Sequence, residues 1–412
     1  MYSEKGLFDK FPDKEELPAG WMGGHDRSIP EVNGHIHTPH SFSAFSDMEE
    51  AFKMAVAEGI KVLGINDFFT TDGYTEFARL AERYKVFPLF NIEFIALQRD
   101  LLNAGIRVND PNNPGRTYLS GKGLDYPVRM SKKSIATIKT IQENSNNRSY
   151  RMVAKLNSLL AGIDSGLNLN ANRLHKTYAK SLFLERHLAH AVRMTVFQKI
   201  GDKAGRKDML KRMFSGKDIE SSLDDSVALE NEIRANLLKA GGPAFVDEDP
   251  ETFLSLVDVM SLIKDAGGIP CYPVLLDDTA GNFTGYESDR EKLFYSLIEK
   301  NIYCIELIPG RNDYQVLKDF VTWFHKKGFI IIFGTEHNTP QLLPLRITCR
   351  GGIRLDEKLR KISLEGAAVI AAHQYLRSLG EESLREGIYS EKNNRKEMVK
   401  LGMAVIAKFT ER

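Results

Sequence analysis

Disulfide chemistry has little to work with in this chain, whose 412 residues include three cysteines, Cys271, Cys304 and Cys349. They stand far apart in apolar, strand-like surroundings. That pattern excludes a disulfide framework or a zinc knuckle and points to buried thiols in a reducing compartment. Long apolar runs are also missing. No stretch approaches the roughly 18 apolar residues of a membrane-spanning helix. The N-terminus, MYSEKGLFDKFPDKEELPAG, is charged and lacks an apolar segment, so it does not read as a secretory signal. A cytoplasmic location is expected. A surplus of one charge is absent too, since 56 Lys+Arg oppose 55 Asp+Glu.

What is present is an ordinary globular composition, 42% hydrophobic, ample for a sizeable core. The charge is unevenly placed. Residues 98–215 hold 22 Lys+Arg against 8 Asp+Glu, an excess of 14 positive charges that the rest of the chain offsets with an excess of 13 negative ones. Such a segment either steers an anionic substrate or simply attracts the acidic body beside it.

From residue 32 apolar strands alternate with amphipathic helices. Val32–His37 reads as a strand. Ser46 and Glu49 form a capping-box pattern before MEEAFKMAVAEG, a helix closed by Gly59. Strands over Val62–Asn66 and Val86–Glu93 flank a helix near Tyr74–Tyr84. The alternation resumes with strands at Ile269–Val274, Tyr303–Ile308 and Phe329–Gly334 and helices between and after them, the last over Glu357–Ser378. This order predicts parallel strands with right-handed crossovers, six of them visible. The stretch 98–130 is rich in Gly, Pro and Asn and reads as loop, and 131–240 reads as helical. The expected division is an N-terminal extension (1–30), a barrel or doubly wound sheet (31–97 and 243–380), a loop-plus-helix cap or lid (98–242) and a helical tail (381–412).

Four histidines, His25, His35, His37 and His40, fall in one short stretch. In a strand, positions 35 and 37 share a face, so two imidazoles converge at its end. Three other strand ends carry Asn66-Asp67, Glu93 and Glu336-His337-Asn338. Parallel α/β folds open all strand C-termini on one side. Two histidines and two carboxylates gathered there suit a divalent ion, Zn or Mn with Fe as a third option, and leave a place for water. Tyr272 and Glu306 also end apolar strands. The first is a candidate to bind substrate or water, the second to support a ligating histidine. His175, His325 and His373 read as structural.

At this point the motifs resemble a known family. HIHTPHSFSAFSD, LGINDFFTTDGY, FNIEF and FGTEHNTP resemble, in order, the motifs of the PHP (polymerase and histidinol phosphatase) superfamily over about half of the chain. The resemblance implies a distorted seven-stranded (β/α) TIM-like barrel, here with a large helical insertion, and up to three metal ions at the strand C-termini. It implies His35, His37, Glu93 and Glu336 as metal ligands. It also shows departures. Phe68, Tyr272 and Asn338 stand where the family carries histidines. His40, from the first loop, and His187, from the insertion, are candidate replacements. Arg186 beside His187 is a candidate phosphate fork, and Asp67 a candidate general base or ligand orienter.

Two functions are expected from this. One is a metal-dependent phosphoesterase acting on a small phosphorylated or anionic substrate. The other is a catalytically degenerate PHP-like module that binds a ligand or partner. An amidohydrolase would need later strand-end histidines that Tyr272 and Glu336 do not supply. Nucleic acid is not the expected partner, because the basic segment has no helix-turn-helix, zinc finger or aromatic-interleaved stripe.

Overall fold

The computed structural model describes residues 6–17, 29–164, 166–278, 280–381, 383 and 392–411. His25 therefore lies outside the described residues, as do parts of the N-terminal extension and of the C-terminal tail. Seven strands form one sheet in chain order. They are β1 (Glu31–Ile36), β2 (Ile60–Phe68), β3 (Phe87–Leu97), β4 (Arg116–Lys122), β5 (Ile269–Val274), β6 (Cys304–Leu307) and β7 (Ile330–Phe333). All neighbours pair in parallel except β4, which is antiparallel to both β3 and β5.

The sheet curls until its ends meet. Ile36 and Glu336 form a parallel bridge, and the His37 amide donates to the Glu336 carbonyl at 2.7 Å. This seam is tight enough to demand glycine. A Cβ on Gly34 would fall 2.2 Å from Ile332 Cγ1, and one on Gly334 would fall 2.3 Å from the His35 Cβ. The result is a nearly closed seven-stranded barrel.

β4 corrects the expectation that 98–130 is loop. Its inward residues, Ser120 and Lys122, are polar, so no apolar run marks it. The expected helix does start at Met48, but Ser46 is not its N-cap. Asp47 is the N-cap and accepts from the Glu50 amide at 2.8 Å, while Glu50 reaches back to the Ser46 amide at 2.6 Å. Only half of a capping box is formed, because Glu50 accepts from the residue before the N-cap and not from the Asp47 amide.

Helices over Met48–Ala57, Tyr74–Tyr84, Leu256–Asp265, Arg290–Glu299, Tyr314–Lys326 and Glu357–Ser378 accompany the strands. The last is almost wholly buried from Gly366 to Leu376 and packs against β7 and the helix Lys392–Glu411. Between β4 and β5 the chain builds a second apolar core of its own. It includes Met152, Leu156, Leu188, Val192, Met213 and Leu237, from helices such as Lys132–Ile163 and Glu185–Lys199. This helical unit is tied to the loops after β1 and β2. The Leu182 amide donates to the His40 carbonyl at 3.0 Å, Ser181 to Asp72 at 2.7 Å and Gln142 to the Phe69 carbonyl at 2.7 Å. It therefore stands over the end of the barrel where β1 and β2 finish. Among the described residues, no helix is long and apolar enough to cross a membrane.

Candidate metal centre

His35 and His37 face the barrel interior from the end of β1, and their Nε2 atoms are 3.2 Å apart. Glu93, from β3, brings Oε2 to 3.3 Å from His37 Nε2. All three side chains are buried, and one ligand atom from each lies within 4.8 Å of the others. Two nitrogens bound to one tetrahedral ion at about 2.1 Å would stand roughly 3.4 Å apart.

The opposite ring nitrogens show which lone pairs are free. His35 Nδ1 lies 2.9 Å from Glu306 Oε2, a pure acceptor, so Nδ1 carries the proton. His37 Nδ1 lies 3.0 Å from Ser41 Oγ, whose own hydroxyl donates to Asp67 Oδ1 at 2.6 Å. Ser41 must then accept from His37, and both Nε2 lone pairs point inward at each other. Bare lone pairs facing at this distance repel unless a cation lies between them. The Asn66 amide nitrogen packs on the His35 ring, 3.1 and 3.2 Å from its two nitrogens and so along neither lone pair. The donor set and its spacing fit a divalent ion.

The surroundings shift the titration of these groups. Burial pushes the Glu93 carboxyl up to about 8, with Glu336 and Glu306 adding to the effect against His35 and Lys122. Burial also lowers His37, the carboxylates nearby opposing it, and so favours the neutral, ligating imidazole. Asp67 is raised, again by burial, although Ser41 and Thr38 donate to it. Glu306 behaves oppositely. Burial raises it, but the Lys122 charge and His35 outweigh that and hold it far below the usual carboxylate range.

Glu306 is thus a fixed anion. Its Oε2 accepts from His35 and from Lys122 Nζ at 2.5 Å, and its Oε1 from Ser120. Lys122 is fully buried. It starts level with Ile269, the first residue of β5, and its long stem carries Nζ to Glu306 and to Asn66 Oδ1 at 3.1 Å. Ser120 and Lys122 are site residues that sequence reasoning did not single out, and Asn66 was named only as a strand end; Glu306 lies beside the candidate ligand His35.

Other expected residues go elsewhere. Glu336 reaches the rim but is not one of the converging group, because its carboxylate is paired with Arg311 and accepts from Asn338 at 3.1 Å. Burial raises its carboxyl, but Arg311, with the two imidazoles, holds it below its ordinary value. Tyr272 is turned away. Its neighbour Pro273 is level with Glu306, so Tyr272 lies on the other face of β5, where its hydroxyl donates to Glu287 at 2.8 Å. His40 bonds Ser181 of the helical unit at 2.9 Å. His187 accepts from its own helix, the Leu184 amide at 3.0 Å, and packs edge-on to Phe42. Neither histidine joins the cluster. Burial drives His187 down to about 3, so it stays neutral. Arg186 lies over the Phe42 ring, and the charge of Glu336 is felt at its guanidinium. His337 points away from the cluster, to Thr335 and the Leu343 carbonyl.

No protein-family model matches the chain. No curated protein matches it either. Among solved structures, that of a candidate metal-dependent phosphoesterase from Bifidobacterium adolescentis is similar, with a TM-score of 0.50, 15% identity, and 82% of this chain and 96% of that one covered. An amidohydrolase from Chromobacterium violaceum, solved with bound sulfate and no metal, gives a TM-score of 0.49 at 16% identity, covering 81% of this chain and 96% of that one. The chain shares with the first of these structures its overall fold, here a nearly closed seven-stranded barrel-like sheet. At these identities the likeness is one of fold.

Proposed function

We propose that the protein is a metal-dependent hydrolase of small phosphate esters, with the ion held by His35, His37 and Glu93. The observation that supports this best is the convergence of two inward Nε2 lone pairs on a buried carboxylate. Two imidazoles and a carboxylate suit Zn, Mn or Fe. Such an ion would supply a water of lowered pKa and polarise a phosphoryl oxygen.

The chain's own groups do the rest. Glu306 and Lys122 fix the His35 ring, and Asp67 fixes the His37 ring through Ser41. Asp67 is enclosed by Thr38 and Ser41, so it orients a ligand and takes no proton from substrate. The helical unit covers the barrel mouth as a cap, brings Arg186 to it and adds basic charge that draws an anionic substrate. Three free, buried cysteines agree with a reducing, cytoplasmic setting.

The reading is tested by metal analysis of the purified protein and by assay of a phosphate-ester panel with Mn²⁺ or Zn²⁺. Absence of a bound transition metal together with absence of turnover sinks it. A second reading, a PHP-like binding module without catalysis, is favoured by one contact. The Phe68 ring packs on His37 with centroids 4.7 Å apart, where the resemblance calls for a histidine ligand. Metal uptake and phosphate binding without turnover would select that reading.

A further inference from the structure

The rim of the cluster holds a cation that the ligand set does not account for. Arg311 sits in the single helical turn Pro309–Arg311 just after β6, and its guanidinium pairs with Glu336. Asn338 supplies the second donor to that carboxylate, its amide nitrogen 3.1 Å away. Two protein N–H groups thus occupy Oε2 of Glu336. The backbone holds this arrangement at a cost, since Glu336 and His337 both have positive φ, 63° and 56°. Non-glycine residues adopt that region only where the surroundings enforce it. On the other side the Phe68 ring covers His37. Neither an aromatic ring nor an amide N–H presents a lone pair to a second ion.

We propose that Arg311 supplies the second positive charge of this centre and binds a substrate oxyanion directly, with Glu336 as its anchor instead of a metal ligand. The inference rests on the reading of the site as a metal-dependent phosphoesterase centre. A guanidinium is a planar fork with five donors and suits a phosphoryl group geometrically. One nitrogen of Arg311 is committed to Glu336, and the side chain is 44% exposed. Among the described residues its other N–H groups meet no acceptor, so they are open to a ligand. Arg186 of the helical unit lies over the ring of Phe42, in the loop after β1, so an anion at Arg311 would lie at the end of the barrel that this unit covers.

The test uses the full chain stripped with a chelator and titrated calorimetrically with Mn²⁺, then with inorganic phosphate. The wild type takes up one ion per chain. Glu336→Gln keeps the ion Kd within about threefold, and Arg311→Ala leaves it unchanged but weakens phosphate at least about tenfold, with partial recovery in Arg311→Lys. Uptake of two or more ions, loss of the ion in Glu336→Gln, or undiminished phosphate affinity in Arg311→Ala overturns the inference. Failure of the underlying functional reading looks different, because the wild type would then bind no ion. In that event phosphate is titrated into the ion-free chain, and the same Arg311→Ala comparison decides.

Discussion

His35 and Glu306 meet Nδ1 to Oε2 at 2.9 Å from strands that have β7 between them. The contact fixes the imidazole tautomer and aims Nε2 at the ion position. Removing the negative charge while keeping the shape should therefore loosen the ion. Glu306→Gln is expected to weaken Mn²⁺ or Zn²⁺ binding about 10–100-fold, the usual cost of losing such a supporting partner. Ion affinity measured by competition with a chromogenic chelator checks this. An unchanged affinity would show that His35 is held by its packing alone.

Lys122 makes the same network a stability element. Its ammonium is fully buried and balanced by Glu306. Lys122→Met leaves that carboxylate without its lysine counter-charge in the interior, which should cost about 3–5 kcal/mol. The double variant Lys122→Met/Glu306→Gln removes both charges and should be less destabilised than the sum of the two single variants by at least about 1 kcal/mol. Urea unfolding of the four proteins decides it, and strict additivity would contradict the pairing.

Much of this centre was legible because strand periodicity is simple. His35 and His37 share a face, and Glu93, Asp67 and Glu306 each close an apolar run. The same rule, applied one step further, would have turned Tyr272 outward, since Pro273 shares the level of Glu306. β4 stayed hidden for a physical reason. A strand whose inner face is Ser120 and Lys122 looks like loop, because its inward residues serve the site and not the apolar core. Arg311 was invisible for a related reason. It lies in a turn with no period, and only the closing of the sheet brings it to Glu336. His40 was misplaced because a loop residue's direction is set by what docks on it, here Ser181.

Barrel closure yields a sharp steric prediction. Gly34→Ala places a methyl 2.2 Å from Ile332 Cγ1 and 3.3 Å from the Phe333 carbonyl. Overpacking of a tight interior costs about 1–3 kcal/mol, and this seam also positions His35 and His37. Gly310→Ala is the control, because its nearest neighbour, the Thr348 carbonyl, would be 3.8 Å away. Thermal unfolding should separate the two variants clearly. Equal melting temperatures would mean that the seam can open without loss.

Acid sensitivity should come partly from a histidine far from the metal centre. His373, in the helix Glu357–Ser378, donates Nε2–H to the Gly267 carbonyl at 2.7 Å and accepts from Ser383 on Nδ1. That is the neutral tautomer. Burial, helped by Arg377, takes it from an ordinary 6.5 down to about 4 in the folded chain. The unfolded chain therefore binds the extra proton between those values, and stability rises with pH across that window. The contribution is complete above about pH 6.5 and is lost as pH falls toward 4. Between pH 7 and 5 the loss amounts to about 2 kcal/mol. His373→Gln keeps an amide donor for Gly267 but cannot titrate. Its unfolding free energy, compared at the two pH values, should fall by about 2 kcal/mol less than that of the wild type. Parallel pH profiles for the two proteins would assign the acid sensitivity to other buried groups, such as His187.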